Sequence, residues 1–230
     1  PTAVDLLETL NVPAYKIASY EITDIPLIEL VASKGKPVIF STGIAGEDDI
    51  RLAIEACKKQ GNNQIIILKC TSAYPTPPDQ ANLRTISEIA NRFNVIAGFS
   101  DHTLGIVAPV LSVAYGARVI EKHFILDKNN GGVDSHFSLD EREFQEMVVA
   151  VRIAEKMIGE VSFKITDKMK SQRDFSRSLY IVENIKKGEL ITEANVRSVR
   201  PGFGLHPKHY GEILGKKVNK DLKKGTAMSF

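Results

Sequence analysis

Through residues 3–158, short β-branched runs alternate with amphipathic stretches, and almost every run ends in polar residues. The runs are 15–21 (YKIASYE), 36–42 (KPVIFST), 64–71 (QIIILKCT), 95–100 (VIAGFS) and 117–124 (ARVIEKHF). Between them the spacing of apolar residues predicts helices over 3–10, 25–33, 47–60, 83–93 and 104–115, and Asp140 is placed to cap a last one reaching Ile158. Strict β-α alternation with short connections builds a parallel sheet covered by helices.

The polar residues fall after successive runs: Lys16, Ser19 and Glu21; Ser41 and Thr42; Thr71, Ser72 and Tyr74; Ser100, Asp101 and His102; Glu121 and His123. Strand ends that converge on one site are the layout of a (β/α)8 TIM barrel, whose chemistry sits at the C-terminal face. A doubly wound sheet is the competitor, but it normally carries a Gly-rich phosphate turn such as G-x-G-x-x-G, and the sequence has none. About five strands are read where a barrel has eight, so about three βα units are expected upstream. The chain opens at Pro1 rather than Met and is taken to lack its natural N-terminus.

Two run ends carry side chains that ligate metals, His102 in VIAGFSDHT and His123 in ARVIEKHF. In E-K-H the two-residue period of a strand sends Glu121 and His123 to one face and Lys122 to the other. Two imidazoles from adjacent strand ends can share a divalent ion and leave positions open for water and substrate. Glu121 beside them is placed to act as a base. The plainer reading, structural histidines satisfied by hydrogen bonds, stands next to it. Lys16 within an apolar run is costly to bury unpaired, which favours an anionic partner. Ser19, Ser41 and Ser100 precede helices and can cap them, a role compatible with phosphate binding at a helix N-terminus.

A net charge of +2 over 230 residues gives no electrostatic case for nucleic acid or a membrane surface. No apolar run reaches the length of a membrane span, and no signal peptide is read. Cys57 and Cys70 make no disulfide framework and fit a reducing cytoplasm. After the barrel part, residues 1–159, the pattern changes. Residues 160–174 are polar, Lys-rich and aperiodic, a linker by composition. Residues 175–230 read as a small β-rich domain, with SLYIVEN, VRSVRPGFG and KVNKDLKKGTAM bracketed by KKG turns.

Several motifs in one order, YKIASYEITDIPLIE, FSTGI, KCTSAYPTPP, GFSDHT and EKHF, resemble the sialic acid synthase family of bacterial nonulosonate synthases. The tail, with RSLY, IKKGE and VRPGFGLHPK, is similar to that family's antifreeze-like (SAF) domain, a β-clip. EKHFILDK, FSRSLY and SVRPGFGLHPKHY are most similar to its pseudaminic acid branch. The resemblance implies condensation of phosphoenolpyruvate with an open-chain acetamido sugar, with a divalent metal, Mn²⁺ first and Mg²⁺ or Co²⁺ as alternatives. It implies His102 and His123 as metal ligands and Lys16, Ser19, Ser41 and Ser100 as the phosphoenolpyruvate positions. Glu121 and Glu21 match acidic residues near the reacting centre, Tyr74 a sugar-site tyrosine, and Asp134 the Asp of the loop after the last strand. Arg200 matches an arginine that reaches the neighbouring subunit's sugar in a domain-swapped homodimer. One departure is visible: Ser72 stands where the sialic acid enzymes carry Asn, which argues against N-acetylmannosamine as the sugar.

Alternatives remain at this level. Within the family, N-acetylneuraminate, legionaminate and spore-coat polysaccharide synthases are the competitors. Outside it stand a pyruvate aldolase with a Schiff base on Lys16 and a non-catalytic sugar-binding protein built on the antifreeze-like module.

Overall fold

The alternation becomes five parallel strands in sequence order. A computed structural model describes residues 2–230, in which β1 (Tyr15–Ile17), β2 (Val38–Ser41), β3 (Ile65–Cys70), β4 (Ile96–Asp101) and β5 (Ile120–Lys122) pair as neighbours, β1-β2-β3-β4-β5. A doubly wound sheet reverses its strand order at a switch point. Here none occurs, and the order is that of consecutive units of a (β/α)8 barrel.

The register fixes two faces. Tyr15 and Ile17 pair with Val38 and Phe40, Phe40 with Ile67, Ile67 with Ala97, and Phe99 with Ile120. The residues of β1–β4 in this row lie in the hydrophobic core with Ile28 and Val31 of α2 (Ile25–Ala32), Ile54 and Cys57 of α3 (Glu47–Lys59), and Ile86 and Ile89 of α4 (Arg84–Phe93). Each fully buried Ile or Phe in this layer contributes about 1.5–3 kcal/mol. α1 (Thr2–Thr9) adds Val4, and α5 (Val107–Ala114) adds Ala108. Lys16, Ser41, Ser100 and Glu121 belong to the alternate row and face the other way.

Local chemistry sets the helix ends. Asp24 accepts from the Leu27 amide (3.1 Å) at the start of α2, and Gly61, with φ +75°, ends the chain's run after α3. Asp140 and Glu143 form a reciprocal capping box at the start of α6 (Glu141–Ile158). Three boundaries differ from the sequence expectation by three residues or more. The first strand stops at Ile17, because Ser19–Glu21 turns into a 3-10 helix. α5 begins at Val107 rather than 104, since Gly105 takes φ +71°, outside the helical region. β5 is confined to Ile120–Lys122.

Contacts divide the chain into one unit ending at Glu160 and a second, Val161–Phe230. In the second, β6 (Ser178–Ile181) pairs antiparallel with β7 (Val196–Val199), and isolated bridges such as Ile185 to Leu222 and Leu190 to Lys217 complete a β-rich module. Its own small core contains Leu179, Ile181, Ile185, Val196 and Ile213, the last from α8 (Tyr210–Ile213). The stretch 160–174, read as a linker, carries a short helix, α7 (Asp167–Gln172), because Thr166 caps it by accepting from the Met169 amide (3.2 Å). A Cβ on Gly202 would lie 2.7 Å from the Arg173 carbonyl, and one on Gly204 would lie 2.5 Å from that of Leu179. The close approach these glycines permit is to their own unit. Among the described residues, no helix is long and apolar enough to cross a membrane.

Gly98 is the tightest point of the sheet. A Cβ there would sit 2.4 Å from the Val119 carbonyl oxygen and 2.5 Å from a Leu68 methyl. Overpacking of this kind costs about 1–3 kcal/mol. Gly98→Ala should therefore lower the urea midpoint and the Tm; an unchanged midpoint would mean the β4–β5 spacing can relax freely.

Candidate active site

One face of the strand ends forms a cavity of about 360 Å³, lined among others by Lys16, Ser19, Ser41, Tyr74, His102, Glu121 and His123. Parallel strands in register bring this about: Ser41 lies opposite Leu68, Cys70 opposite Ser100, and Ser100 opposite Glu121. Each strand thus delivers its last inward side chain to the same rim.

Glu121 is the hub. Its Oε2 accepts from Ser100 Oγ (2.7 Å) and Ser41 Oγ (3.3 Å) and lies 3.4 Å from Lys16 Nζ. Lys16 is not buried as an apolar strand would suggest. Its side chain is 31% exposed toward the cavity, and it also donates to the Ile17 carbonyl (3.2 Å). Ser19 is buried and accepts the Gly43 amide proton (3.0 Å). The Ser72 hydroxyl is buried with no hydrogen-bond partner among the described residues, and a Cβ on Gly43 would sit 2.1 Å from it.

The imidazoles of His102 and His123 lie with ring centroids 5.1 Å apart. Tyr74 leans on His102 (4.3 Å), and Phe137 backs His123 (4.9 Å). His102 Nδ1 is 3.0 Å from the Thr71 carbonyl and so carries the proton it donates there, leaving Nε2 with its lone pair. His123 Nδ1 faces Asp134 Oδ2 at 3.5 Å. Ligating histidines are commonly oriented in this way, by a carbonyl or a carboxylate on the second nitrogen. With metal–nitrogen bonds of about 2.1 Å, two rings sharing an ion have centroids roughly 5 Å apart. The pair therefore fits a divalent metal, although no group of three or more His, Cys, Asp or Glu among the described residues makes a ready cage. Burial, then the neighbouring His102, pushes the His123 pKa below the usual imidazole value and favours the neutral form a ligand needs. Burial also opposes protonation of His102, but the Cys70 thiol and the Thr71 carbonyl outweigh it and raise that pKa.

Asp134 borders this cluster, half-exposed beside His123, whereas other candidates lie outside it. Glu21 is exposed on the 3-10 turn. Arg200 belongs to the second unit, exposed just past β7, with a cis peptide to Pro201. Sequence reasoning assigned no role to an ion pair directly behind the histidines: Lys122 Nζ meets Asp101 Oδ2 at 2.8 Å, with both side chains fully inaccessible. The signal was available, because a lysine inside a buried strand demands a partner. Tyr20 and Phe137 were also not singled out, since neither reads as more than packing.

Residues 1–163 match the NeuB family and residues 176–228 the SAF domain. The chain is 50% identical to a pseudaminic acid synthase of Campylobacter jejuni subsp. jejuni over 98% of its own length and 66% of the relative's. It is 46% identical to the pseudaminic acid synthase of Helicobacter pylori, over 99% of the chain and 67% of the relative. It thus spans about two thirds of the length of these relatives. The crystal structure of the spore coat polysaccharide biosynthesis protein spsE from Bacillus subtilis superposes with a TM-score of 0.66 at 36% identity, covering 99% of this chain and 69% of that one.

The two buried thiols differ in their neighbours. Cys57 is wholly buried in the helix layer, and burial pushes its pKa up to about 11, so it stays protonated at pH 8. Burial alone would raise Cys70 as well, but His102, Ser19 and Ser100 around its sulfur draw it below the usual thiol value. Iodoacetamide at pH 8 should label Cys70 before Cys57, with Cys57 labelled only on unfolding; mass spectrometry showing equal rates would contradict this arrangement.

Proposed function

The chain belongs to the NeuB family, followed by a SAF domain, and on that premise we propose that it condenses phosphoenolpyruvate with an open-chain acetamido sugar, releasing phosphate and a nonulosonic acid. The observation that carries the reading is the gathering of Lys16, Ser41 and Ser100 on one carboxylate beside the imidazole pair. Three donors converging on an anion at strand ends suit a phosphorylated carboxylate.

In this reading the donors of Lys16, Ser19, Ser41 and Ser100 bind and orient phosphoenolpyruvate with its C3 toward the sugar aldehyde. His102 and His123, through their Nε2 atoms, would hold a divalent metal, Mn²⁺ foremost, which as a Lewis acid supplies stabilisation of negative charge on the aldehyde oxygen. C–C bond formation leaves C2 of the former phosphoenolpyruvate electron-poor, and water adds there. Glu121, hydrogen-bonded to Ser100, takes a proton from that water through a carboxylate oxygen. In the collapse of the resulting tetrahedral centre the C2–O bond to phosphate breaks, phosphate leaves with the electron pair, and the C2 hydroxyl gives up its proton to leave the 2-keto acid, while the oxygen of the former aldehyde takes up a proton to become a hydroxyl. Tyr74 and Asp134 border the sugar's path, and Glu21 is a further acidic group at its edge.

For the sugar, the proposal is 2,4-diacetamido-2,4,6-trideoxy-L-altrose, giving pseudaminic acid. The names of the two relatives support it, as does Ser72, which stands where the sialic acid enzymes carry Asn. The setting proposed is the cytoplasm, with two free buried thiols. Assembly is proposed as a domain-swapped homodimer in which Arg200 of one copy meets the acetamido group at the other's cavity. Acidic residues outnumber basic ones through Glu160 and the reverse holds beyond it, so the first unit of one copy and the second unit of another carry opposite net charge.

Phosphate release from phosphoenolpyruvate, assayed with Mn²⁺ and a panel of acetamido sugars, tests the reading. Release should be fastest with the trideoxy-altrose substrate, and His102→Ala or His123→Ala should lower it at least about a hundredfold, several kcal/mol of charge stabilisation being lost. A borohydride-trapped pyruvate adduct on Lys16, with no metal dependence, would replace it by the aldolase reading.

The dimer has its own test. Arg200→Ala should raise the sugar KM or lower its kcat/KM with little change for phosphoenolpyruvate. Mixed Arg200→Ala and His123→Ala subunits should regain activity above either parent. No gain after verified subunit exchange places the whole site within one chain.

A further inference from the structure

Behind the imidazole pair lies the ion pair of Asp101 and Lys122, which none of the chemistry above uses. The two residues face each other across the ladder, Asp101 as the last residue of β4 and Lys122 as the last of β5. Each immediately precedes a histidine of the pair, His102 and His123. Both side chains are completely inaccessible, and every strong partner is local. Lys122 Nζ donates to Asp101 Oδ2 (2.8 Å) and to the Thr103 carbonyl, while Asp101 Oδ1 accepts the Thr103 amide proton (2.8 Å). The ring of contacts thus holds the residue before His102, the residue after it, and the residue before His123.

We infer that Asp101 and Lys122 are positioning residues that set the separation and direction of the His102 and His123 rings, and so the affinity of the site for a divalent cation. The inference rests on the metal-site reading proposed above. The first argument is energetic. Taking two charges fully out of water is costly, and replacing a buried ion pair by apolar side chains of similar volume is often neutral or stabilising. Packing could therefore join β4 to β5 without charges, as Phe99 and Ile120 already do two residues earlier in the register. What an apolar pair lacks is direction. A lysine ammonium donating both to a carboxylate and to a specified carbonyl fixes the backbone on both sides of His102 relative to β5.

The second argument is geometric. On Nδ1 the histidines are braced by the Thr71 carbonyl (3.0 Å) and the Cys70 thiol (3.8 Å) for His102 and by the more distant Asp134 carboxylate for His123. Those braces set ring rotation; they do not set how far apart the two backbones stand. The Asp101–Lys122–Thr103 ring adds a side-chain tie between those two backbones to the β4–β5 ladder, which ends at these same two residues. Supporting shells of this kind are worth about 10–100-fold in metal affinity when disrupted.

The test compares wild-type protein, His123→Ala, the double variant Asp101→Leu with Lys122→Met, and Lys122→Arg. Binding is followed by loss of the free Mn²⁺ EPR signal on titration, and folding by circular dichroism and Tm. Wild type should bind and His123→Ala should not. The double variant, which removes both charges together, should fold with a cooperative melt yet bind Mn²⁺ about 10–100-fold more weakly. Lys122→Arg keeps the charge but cannot place one compact ammonium on both acceptors, and it too should weaken binding. If the variants that fold bind within about twofold of wild type, the pair is only a core element and the inference is overturned. If neither folds, its role is global stability, which overturns it equally. A wild-type protein that takes up no Mn²⁺ sinks the metal-site reading itself, and the positioning role falls with it.

Discussion

Every inward side chain of the first unit depends on one parallel register held from β1 to β5. The ladder runs Lys16 to Ile39, Ser41 to Leu68, Leu68 to Gly98 and Ser100 to Glu121 without a bulge. Because side chains alternate with period two, a slip of one residue anywhere would exchange the whole cavity row for the core row. Such a slip is prohibitive here. It would turn Tyr15, Phe40, Ile67 and Phe99 out of the helix layer and bring polar residues beneath it. The hydrophobic layer therefore specifies the polar cavity, though it touches almost none of it.

Gly98 and Gly43 mark where that specification is tightest. At Gly98 the β5 backbone and Leu68 leave no room for a methyl group, so β4 and β5 approach closely just below the level of Ser100 and Glu121. At Gly43 the hydroxyls of Ser19 and Ser72 take the space a side chain would fill, and the Gly43 amide donates to Ser19. Both glycines have ordinary extended or helical-side φ values, so close approach is what selects them.

The sequence made the fold class legible, because alternating runs with polar ends have few other solutions. It also brought out the row Lys16, Ser41, Ser100, Glu121, His102 and His123, since period two follows from strand geometry alone. Boundaries were less legible. YKIASYE reads as strand throughout, but the chain turns at Ser19, where a buried hydroxyl takes the Gly43 amide, a long-range contact that local pattern does not carry. Asp101 was visible only as one of several polar residues, and Lys122 as the odd member of E-K-H. That they neutralise each other depends on which residue of β4 stands opposite which of β5, and register is a tertiary fact. Arg200 is legible only through motif likeness; nothing in its own unit singles it out from the other exposed cations.

Two ion pairs that share β5, of opposite character, complete the arrangement. Lys16 and Glu121 meet at 3.4 Å on the cavity face with side chains 31% and 42% exposed, while Lys122 and Asp101 meet on the other face with none. A solvent-exposed pair contributes about 0–1 kcal/mol, because water competes for both charges. Stranding one member of a buried pair costs about 3–5 kcal/mol. The first can open for an incoming anion at little cost, with Ser41 and Ser100 ready to re-pair; opening the second strands two buried charges at a far higher cost. Glu121 and Lys122 are adjacent in the chain, so a single peptide step separates the exchangeable contact from the permanent one. That step is a consequence of strand alternation: the residue that must move and the residue that must not are assigned to opposite faces by the same backbone.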